Sequence, residues 1–208
     1  MNELEKVLDR HFRFHPGEVD ILPFCVRSRR KRRQDDRVLL ARVMNDMGFR
    51  VGAEIGTACG ESALMWCQAM PDLHLTCIDP YVVYEQRRSQ EKQESFYEQA
   101  QKTLANFDVT FLRERSMEVV DQFENGSLDF INIDGDHLYD AIVMDLIHYV
   151  PKVRKGGMIL VHDYIPFYRG GVVHAVDAYT ACHLINPWYI THKDAGPTAF
   201  WQRGAEEI

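Results

Sequence analysis

From Val51 onward the chain alternates short apolar runs with longer amphipathic segments, and that alternation limits what it can fold into. The runs at 51–55, 74–79, 109–113, 128–134 and 157–163 have strand length, and the segments at 60–70, 90–105, 116–124 and 138–152 have helical length and spacing. Strands alternating with helices of this length build βαβ units, whose strands lie parallel in one sheet. A helix over 171–184 follows. Then comes WYITHKDAGPTAFWQ, which reads as two strands around a Gly196-Pro197 turn. The expected sheet is mostly parallel and finishes with a C-terminal antiparallel hairpin. Lys155-Gly156-Gly157 is expected to be a turn just before the strand at 157–163.

Residues 1–48 follow a different pattern. Residues 2–12 place Leu4, Val7 and Leu8 on one side of a short helix, which His15-Pro16-Gly17 breaks. Residues 18–33 read as an irregular arm. Asp35 or Asp36 can cap a second helix in which Leu39, Val43 and Met47 recur at helical spacing, and Gly48 stops it. The chain therefore divides into an N-terminal helical extension with a basic arm at 1–48 and an α/β domain at 49–208. With 208 residues, 46% of them hydrophobic, it can bury a full core.

Composition narrows the function classes. No apolar run approaches the roughly 18 residues of a membrane-spanning helix, and MNELEKVLDR is too polar for a secretory signal. A cytoplasmic protein with no membrane partner is the expectation. The five cysteines contain no CxxC pair and are expected to be reduced, buried small side chains. A net charge of −7 argues against a general nucleic-acid binder. RSRRKRR at 27–33 is a local exception, read as a solvated connector, with contact to RNA, a phosphate-bearing substrate or a partner as the alternative.

Two loops carry the chemistry. VGAEIGTACG (51–60) is an apolar run ending in a turn of small residues, and a strand–turn–helix of this kind presents free backbone N–H groups and a positive helix end. The dinucleotide pattern GxGxxG is not matched, which counts against a nucleotide-dependent oxidoreductase. Instead Glu54 precedes Gly56, Ala58 and Gly60 at two-residue steps. Asp79 closes the next strand, 19 residues after Gly60. An acid there can accept both ribose hydroxyls of an adenosine-type ligand.

The second loop, FINIDGDH (130–137), gathers Asp134, Asp136 and His137. Asp134 ends one strand and Asp163 the next parallel one, so neighbouring strands would bring their ends within roughly 5 Å. Two carboxylates so close repel unless a cation or proton lies between them. Mg²⁺ or another divalent ion would satisfy them, and His162 could be a third ligand, although imidazole suits transition metals better. His137, three residues beyond Asp134, can take the proton of an acceptor hydroxyl. Asp136 can orient His137 or cap the following helix.

The segments AEIGTACGES (53–62), CIDPY (77–81), FINIDGDHLYDAIVMDL (130–146) and RKGGMILVHDY (154–164) resemble the class I S-adenosylmethionine-dependent methyltransferases. The IDGDH…GG…VHDY arrangement is similar to their small-molecule O-methyltransferase branch, which includes metal-assisted sugar and catechol-type enzymes. The resemblance implies a Rossmann-like three-layer sandwich with a mostly parallel seven-stranded sheet, and a methyltransferase domain at 49–208. It implies that Glu54, Gly56, Thr57, Ala58, Gly60 and Ser62 surround the methionine part of S-adenosyl-L-methionine. Asp79 would hold its ribose, Ser116 would flank its adenine, and Asp134 would border the same cofactor. Ala58 stands where the family has a second glycine.

His137 and Asp134 would be catalytic, and Asp134, His162 and Asp163 would form the metal site. His162 stands where metal-dependent relatives commonly have an acid. The implied partner is a small-molecule hydroxyl acceptor, a sugar, phenol or natural product, and relatives in this fold often form homodimers. Residues 15–33, 81–95 and 164–172, with Tyr81, Tyr84, Phe167 and Tyr168, would wall the acceptor. The alternative is a protein of the same fold that acts on RNA or binds the cofactor without catalysis.

Overall fold

The computed structural model describes residues 3–14, 24–28, 36–83, 89–166, 170–191 and 196–204. The strands are β1 (Phe12–Phe14), β2 (Phe24–Ser28), β3 (Val51–Ile55), β4 (His74–Ile78), β5 (Val109–Leu112), β6 (Leu128–Ile133), β7 (Val153–Val161), β8 (Tyr189–Thr191) and β9 (Ala199–Gln202). The α-helices are α1 (Glu3–His11), α2 (Asp36–Asp46), α3 (Glu61–Ala69), α4 (Gln90–Leu104), α5 (Ser116–Val119), α6 (Tyr139–Tyr149) and α7 (Gly171–Cys182).

One sheet runs in the order β1-β2-β8-β9-β7-β6-β3-β4-β5. Strands β7, β6, β3, β4 and β5 are mutually parallel, whereas β9 is antiparallel to both β7 and β8. Seven of these strands, β8-β9-β7-β6-β3-β4-β5, make the expected sheet with its terminal antiparallel hairpin, flanked by helices, and β1 and β2 extend it to nine. Chain direction through the sheet reverses beside β3, which has β4 on one side and β6 on the other. Ligands of open α/β sheets bind outside the carboxyl ends of strands at such a switch point.

Two local expectations are corrected. The arm at 18–33 is not wholly irregular: Phe24–Ser28 forms β2, parallel to β8 and antiparallel to β1. Its pairing partner lies more than 160 residues away, at Tyr189–Thr191, so no local pattern announces it. Nor does Lys155-Gly156-Gly157 precede its strand. It lies inside β7, where the register against β6 shifts between Leu128 and Phe130, and the glycines take up the extra residues. Asp36 is the first residue of α2; Asp35 and Arg29 to Arg33 lie outside the described residues.

The sheet buries a different apolar layer on each face. On one, Leu4, Leu8, Leu39, Met44 and Trp66 from α1, α2 and α3 pack with Phe130, Leu160 and Phe200. On the other, Ile142, Leu146, Val172 and Val176 from α6 and α7 pack with Ile131, Ile159 and Trp201. Strands covered on both faces need continuous apolar runs, which is the pattern the sequence carries. Among the described residues no helix is long and apolar enough to cross a membrane. Cys59, Cys67, Cys77 and Cys182 are free thiols, with Cys67 and Cys77 buried.

Candidate active site

The carboxyl ends of β3, β4, β6 and the loop after β5 border one cavity of about 390 Å³. Gly56, Ala58, Asp79, Ser116 and Asp134 all contribute to its wall. Five residues selected from four separate stretches of sequence therefore meet at one place. Glu54, Thr57 and Gly60 lie behind the wall, with Glu54 and Thr57 buried.

The glycine loop is held by contacts that sequence spacing could not reveal. Gly56 sits at φ +90°, and a Cβ there would lie 2.1 Å from the Asp134 carbonyl oxygen. Only glycine lets the β3 and β6 ends approach this closely. Ala58 adopts φ +46°, a left-handed conformation that costs an L-residue about 1–2 kcal/mol. It is fixed there by the β4 end: Ala58 N–H donates to Asp79 Oδ2 at 2.9 Å, and Tyr81 hydroxyl donates to the Ala58 carbonyl at 3.0 Å. Asp79 Oδ1 accepts the Tyr81 N–H at 2.9 Å.

Glu54 lies under this loop, fully buried. Its Oε1 accepts from Ser62 Oγ at 2.7 Å, Asn132 Nδ2 at 3.0 Å and Trp66 Nε1 at 3.1 Å. Its Oε2 is buried with no hydrogen-bond partner among the described residues. Burial pushes its carboxyl up to about 7, against the lowering effect of those donors. A cationic group above Oε2 would reverse that shift. Asn132 and Trp66 were not singled out from sequence; the signal for Asn132 was a lone amide in the apolar run FINI.

The reactive cluster forms where β6 and β7 end side by side. His162 Nδ1 lies 3.2 Å from Asp134 Oδ1 and 3.5 Å from Asp163 Oδ1. On the other side, His137 Nε2 lies 3.7 Å from Asp134 Oδ1 and 3.4 Å from Asp163 Oδ2. Each imidazole thus faces both carboxylates. Burial alone would raise the Asp134 carboxyl, but His137 and His162 together hold it below the ordinary aspartate value. The neighbouring Asp134 carboxylate raises His137 above the usual imidazole value, burial opposes this, and the charge of Asp163 adds to it.

Ligand atoms of Asp134, His162 and Asp163 fall within 4.8 Å of one another, so the structure brings these three residues together. The fit is to one nitrogen and two oxygen donors, a set that suits a divalent transition metal more than Mg²⁺. Asp163 takes φ +55° and is packed against Gly196, where a Cβ would come within 1.8 Å of Asp163 Oδ1. The hairpin turn therefore shapes the cluster, a role sequence reasoning did not assign to Gly196. Asp136 accepts the Leu138 N–H at 3.0 Å, so it caps the turn into α6.

Of the expected acceptor walls, Tyr84, Phe167 and Tyr168 lie outside the described residues. Tyr81 is 1% exposed and turned toward the glycine loop, so it braces the loop instead of facing an acceptor.

A doubly covered parallel sheet, a braced glycine turn and an acid at the next strand end thus border one cavity, with the histidine and carboxylate cluster beside it. A sequence model described as a methyltransferase domain matches residues 53–164, more than half of the chain, and the chain belongs to that family. Its fold is shared with the O-methyltransferase TomG from Streptomyces achromogenes, involved in tomaymycin synthesis and solved with SAM. The identity is 19%, over 81% of this chain and 80% of that one, with a TM-score of 0.60. The O-methyltransferase NovP is similar at 21% identity, over 81% and 79% of the two chains, with a TM-score of 0.57. An uncharacterized protein of Acanthamoeba polyphaga mimivirus is 30% identical over 53% of this chain. The match spans half of that relative's length, and 12% of an uncharacterized protein of Sinorhizobium fredii.

Proposed function

We propose that this chain transfers a methyl group from S-adenosyl-L-methionine to a hydroxyl of a small molecule. The observation that carries this reading is the shared cavity: Gly56, Ala58 and Asp79 border one part of it, and Asp134 the part beside His137 and Asp163. The sulfonium methyl is itself electrophilic, so the protein's task is alignment and exclusion of water. The braced loop orients the methionine portion, and Asp79 accepts from the ribose hydroxyls.

His137 is the proposed base. Its Nε2 takes the acceptor's proton as the oxygen attacks the methyl carbon and the methyl–sulfur bond breaks, its electron pair leaving with S-adenosylhomocysteine; the Asp134 and Asp163 carboxylates stabilise the imidazolium that results. Asp134, His162 and Asp163 would hold a divalent ion. Such an ion, when bound, lowers the hydroxyl pKa and fixes its direction. The family and the O-methyltransferase neighbours support this class of chemistry.

Calorimetric titration with S-adenosylhomocysteine tests the cofactor, and methyl transfer to catechol and sugar acceptors, with and without divalent ions, tests the chemistry. No binding of S-adenosylhomocysteine would sink the cofactor assignment. Binding without turnover on any hydroxyl would leave only a cofactor-binding protein.

A further inference from the structure

Helix α6 is apolar on both sides. Its inner face buries Ile142, Leu146 and Tyr149. Among the described residues it packs against β6, α5 and α7, yet its outer side stays exposed. There Leu138, the residue before the helix, is 58% exposed, Ile147 50% and Tyr139 44%, with Val143 half-buried between the last two. Met144 is exposed as well, but it turns into the cavity wall. Apolar side chains scattered singly over a surface need no explanation, whereas a contiguous group on one helix does. A helix facing water carries charged groups outward. In α6 the only such groups are Asp140, Asp145 and His148, and Asp145 is buried.

The pattern of the outer side says what would cover it. Tyr139, Val143 and Ile147 recur at steps of four, so they form one ridge, symmetric about Val143. Two such ridges laid antiparallel about a two-fold axis at Val143 place Tyr139 of each copy on Ile147 of the other. The charges fit the same arrangement. Asp136 and Asp140 stand at the N-terminal end of the ridge, and His148 and Lys152 at its C-terminal end. His148 Nδ1 lies 2.8 Å from the Met144 carbonyl, which leaves Nε2 for a group outside the helix. Antiparallel pairing sets the acidic end of each copy against the basic end of the other, whereas parallel pairing would set like charges together. A two-fold contact uses one patch twice, and this patch is complementary to itself.

We propose that the outer side of α6 is a dimer face, on which a second copy of this chain packs its own α6 antiparallel over Tyr139, Val143 and Ile147. The proposal does not depend on which ligand fills the cavity. A standard interface buries roughly 800 Å² per partner, a little over half of it apolar. The ridge and Leu138 present on the order of 300 Å² of apolar surface, which places the contact at the small end of that range. A dissociation constant on the order of micromolar follows.

Sedimentation equilibrium on the full chain, from about 1 to 100 µM, tests this. The wild type should pass from monomer to dimer over that range. Ile147→Glu should weaken the dimer by about 30-fold or more, because the substituted residue enters the contact twice. Thermal unfolding reports whether that variant is folded, and Tyr139→Ser gives the same readout if it is not. The register has its own test, with the exposed thiol of Cys182 first removed by Cys182→Ser. In that background Val143→Cys should form a disulfide-linked dimer under mild oxidation, and Glu98→Cys on α4 should not. A wild-type chain that stays monomeric at 100 µM overturns the proposal. So does a dimer that the folded α6 variants leave unchanged, and failure of Val143→Cys to cross-link overturns the antiparallel pairing.

Discussion

The Asp79 carboxylate holds the backbone of Ala58 in place, accepting its N–H at 2.9 Å across 21 residues of sequence. The acid proposed to hold the ribose therefore also shapes the loop proposed to hold the methionine end. Removing it should damage both. Asp79→Ala is expected to weaken S-adenosylhomocysteine binding by about 100-fold or more, beyond one lost charge-assisted hydrogen bond. Calorimetry measures the affinity. Amide exchange at Ala58 should rise in the same variant if the brace is real.

Two substitutions in that loop should act in opposite directions. Ala58→Gly relieves a left-handed conformation at φ +46°, and glycine's extra freedom in the unfolded chain offsets part of the gain. A net stabilisation of about 0.5–1 kcal/mol is expected from denaturant titration. Gly56→Ala drives a Cβ to 2.1 Å from the Asp134 carbonyl oxygen, where backbone must move. That change should cost about 3 kcal/mol and separate the β3 and β6 ends. A neutral Gly56→Ala would contradict the close approach.

These contrasts show why the sequence was readable in some places and opaque in others. The parallel strands β3 to β7 were legible because burial on both faces demands continuous apolar runs such as AEI and FINI. β2 was not, because its partner Tyr189–Thr191 is distant and FCVRS carries no turn signal of its own. In the site, acids at strand ends announced Asp79, Asp134 and Asp163. The residues that brace them stayed hidden. Tyr81 looked like a wall aromatic and Gly196 like an ordinary turn glycine. Their roles depend on which elements lie side by side, and nothing within one segment records that.

Glu54 offers a test through pH. Its folded carboxyl is raised from the ordinary 4.5 to about 7, chiefly by burial. A raised carboxyl favours the folded state when protonated. This contribution is complete below about pH 4.5 and is lost as the pH climbs through 7, by about 3 kcal/mol in total. Glu54→Gln keeps a neutral group at all pH values. The stability difference between variant and wild type should therefore grow in favour of the variant from pH 5 to 8, as followed by denaturant midpoints. If the ligand's ammonium lies on Oε2, S-adenosylhomocysteine should bind the wild type more tightly above pH 7, and the variant should show no such rise.

His137 can be separated from the residues that surround it. As general base it should contribute about 10²- to 10⁴-fold to turnover, so His137→Gln is expected to lose that much kcat. S-adenosylhomocysteine affinity should stay within about threefold, because the imidazole is proposed to meet the acceptor and not the nucleoside. Steady-state kinetics and calorimetry on the same preparation give both values. Full turnover in the variant would remove His137 from the mechanism.

Gly196 provides a way to move Asp163 without removing it. A Cβ at 196 would come within 1.8 Å of Asp163 Oδ1 and 3.0 Å of His162 Cε1, so Gly196→Ala must displace the carboxylate from between the two histidines. Asp163 now lies 3.4 Å from His137 Nε2 and 3.5 Å from His162 Nδ1. Losing it from one side of the cluster removes one of the negative charges that raise the His137 imidazole above its ordinary value, and it breaks the set of three donors. The histidine resonances followed by NMR should show His137 titrating at a lower pH in the variant. Binding of Mn²⁺ or Co²⁺, followed by calorimetry, should weaken by about tenfold or more for the loss of one first-row metal ligand. Nucleoside binding should change little, since Gly196 is remote from Ala58 and Asp79 in the cavity wall. A variant with unaltered metal affinity and an unaltered His137 titration would show that the hairpin turn does not set the position of Asp163.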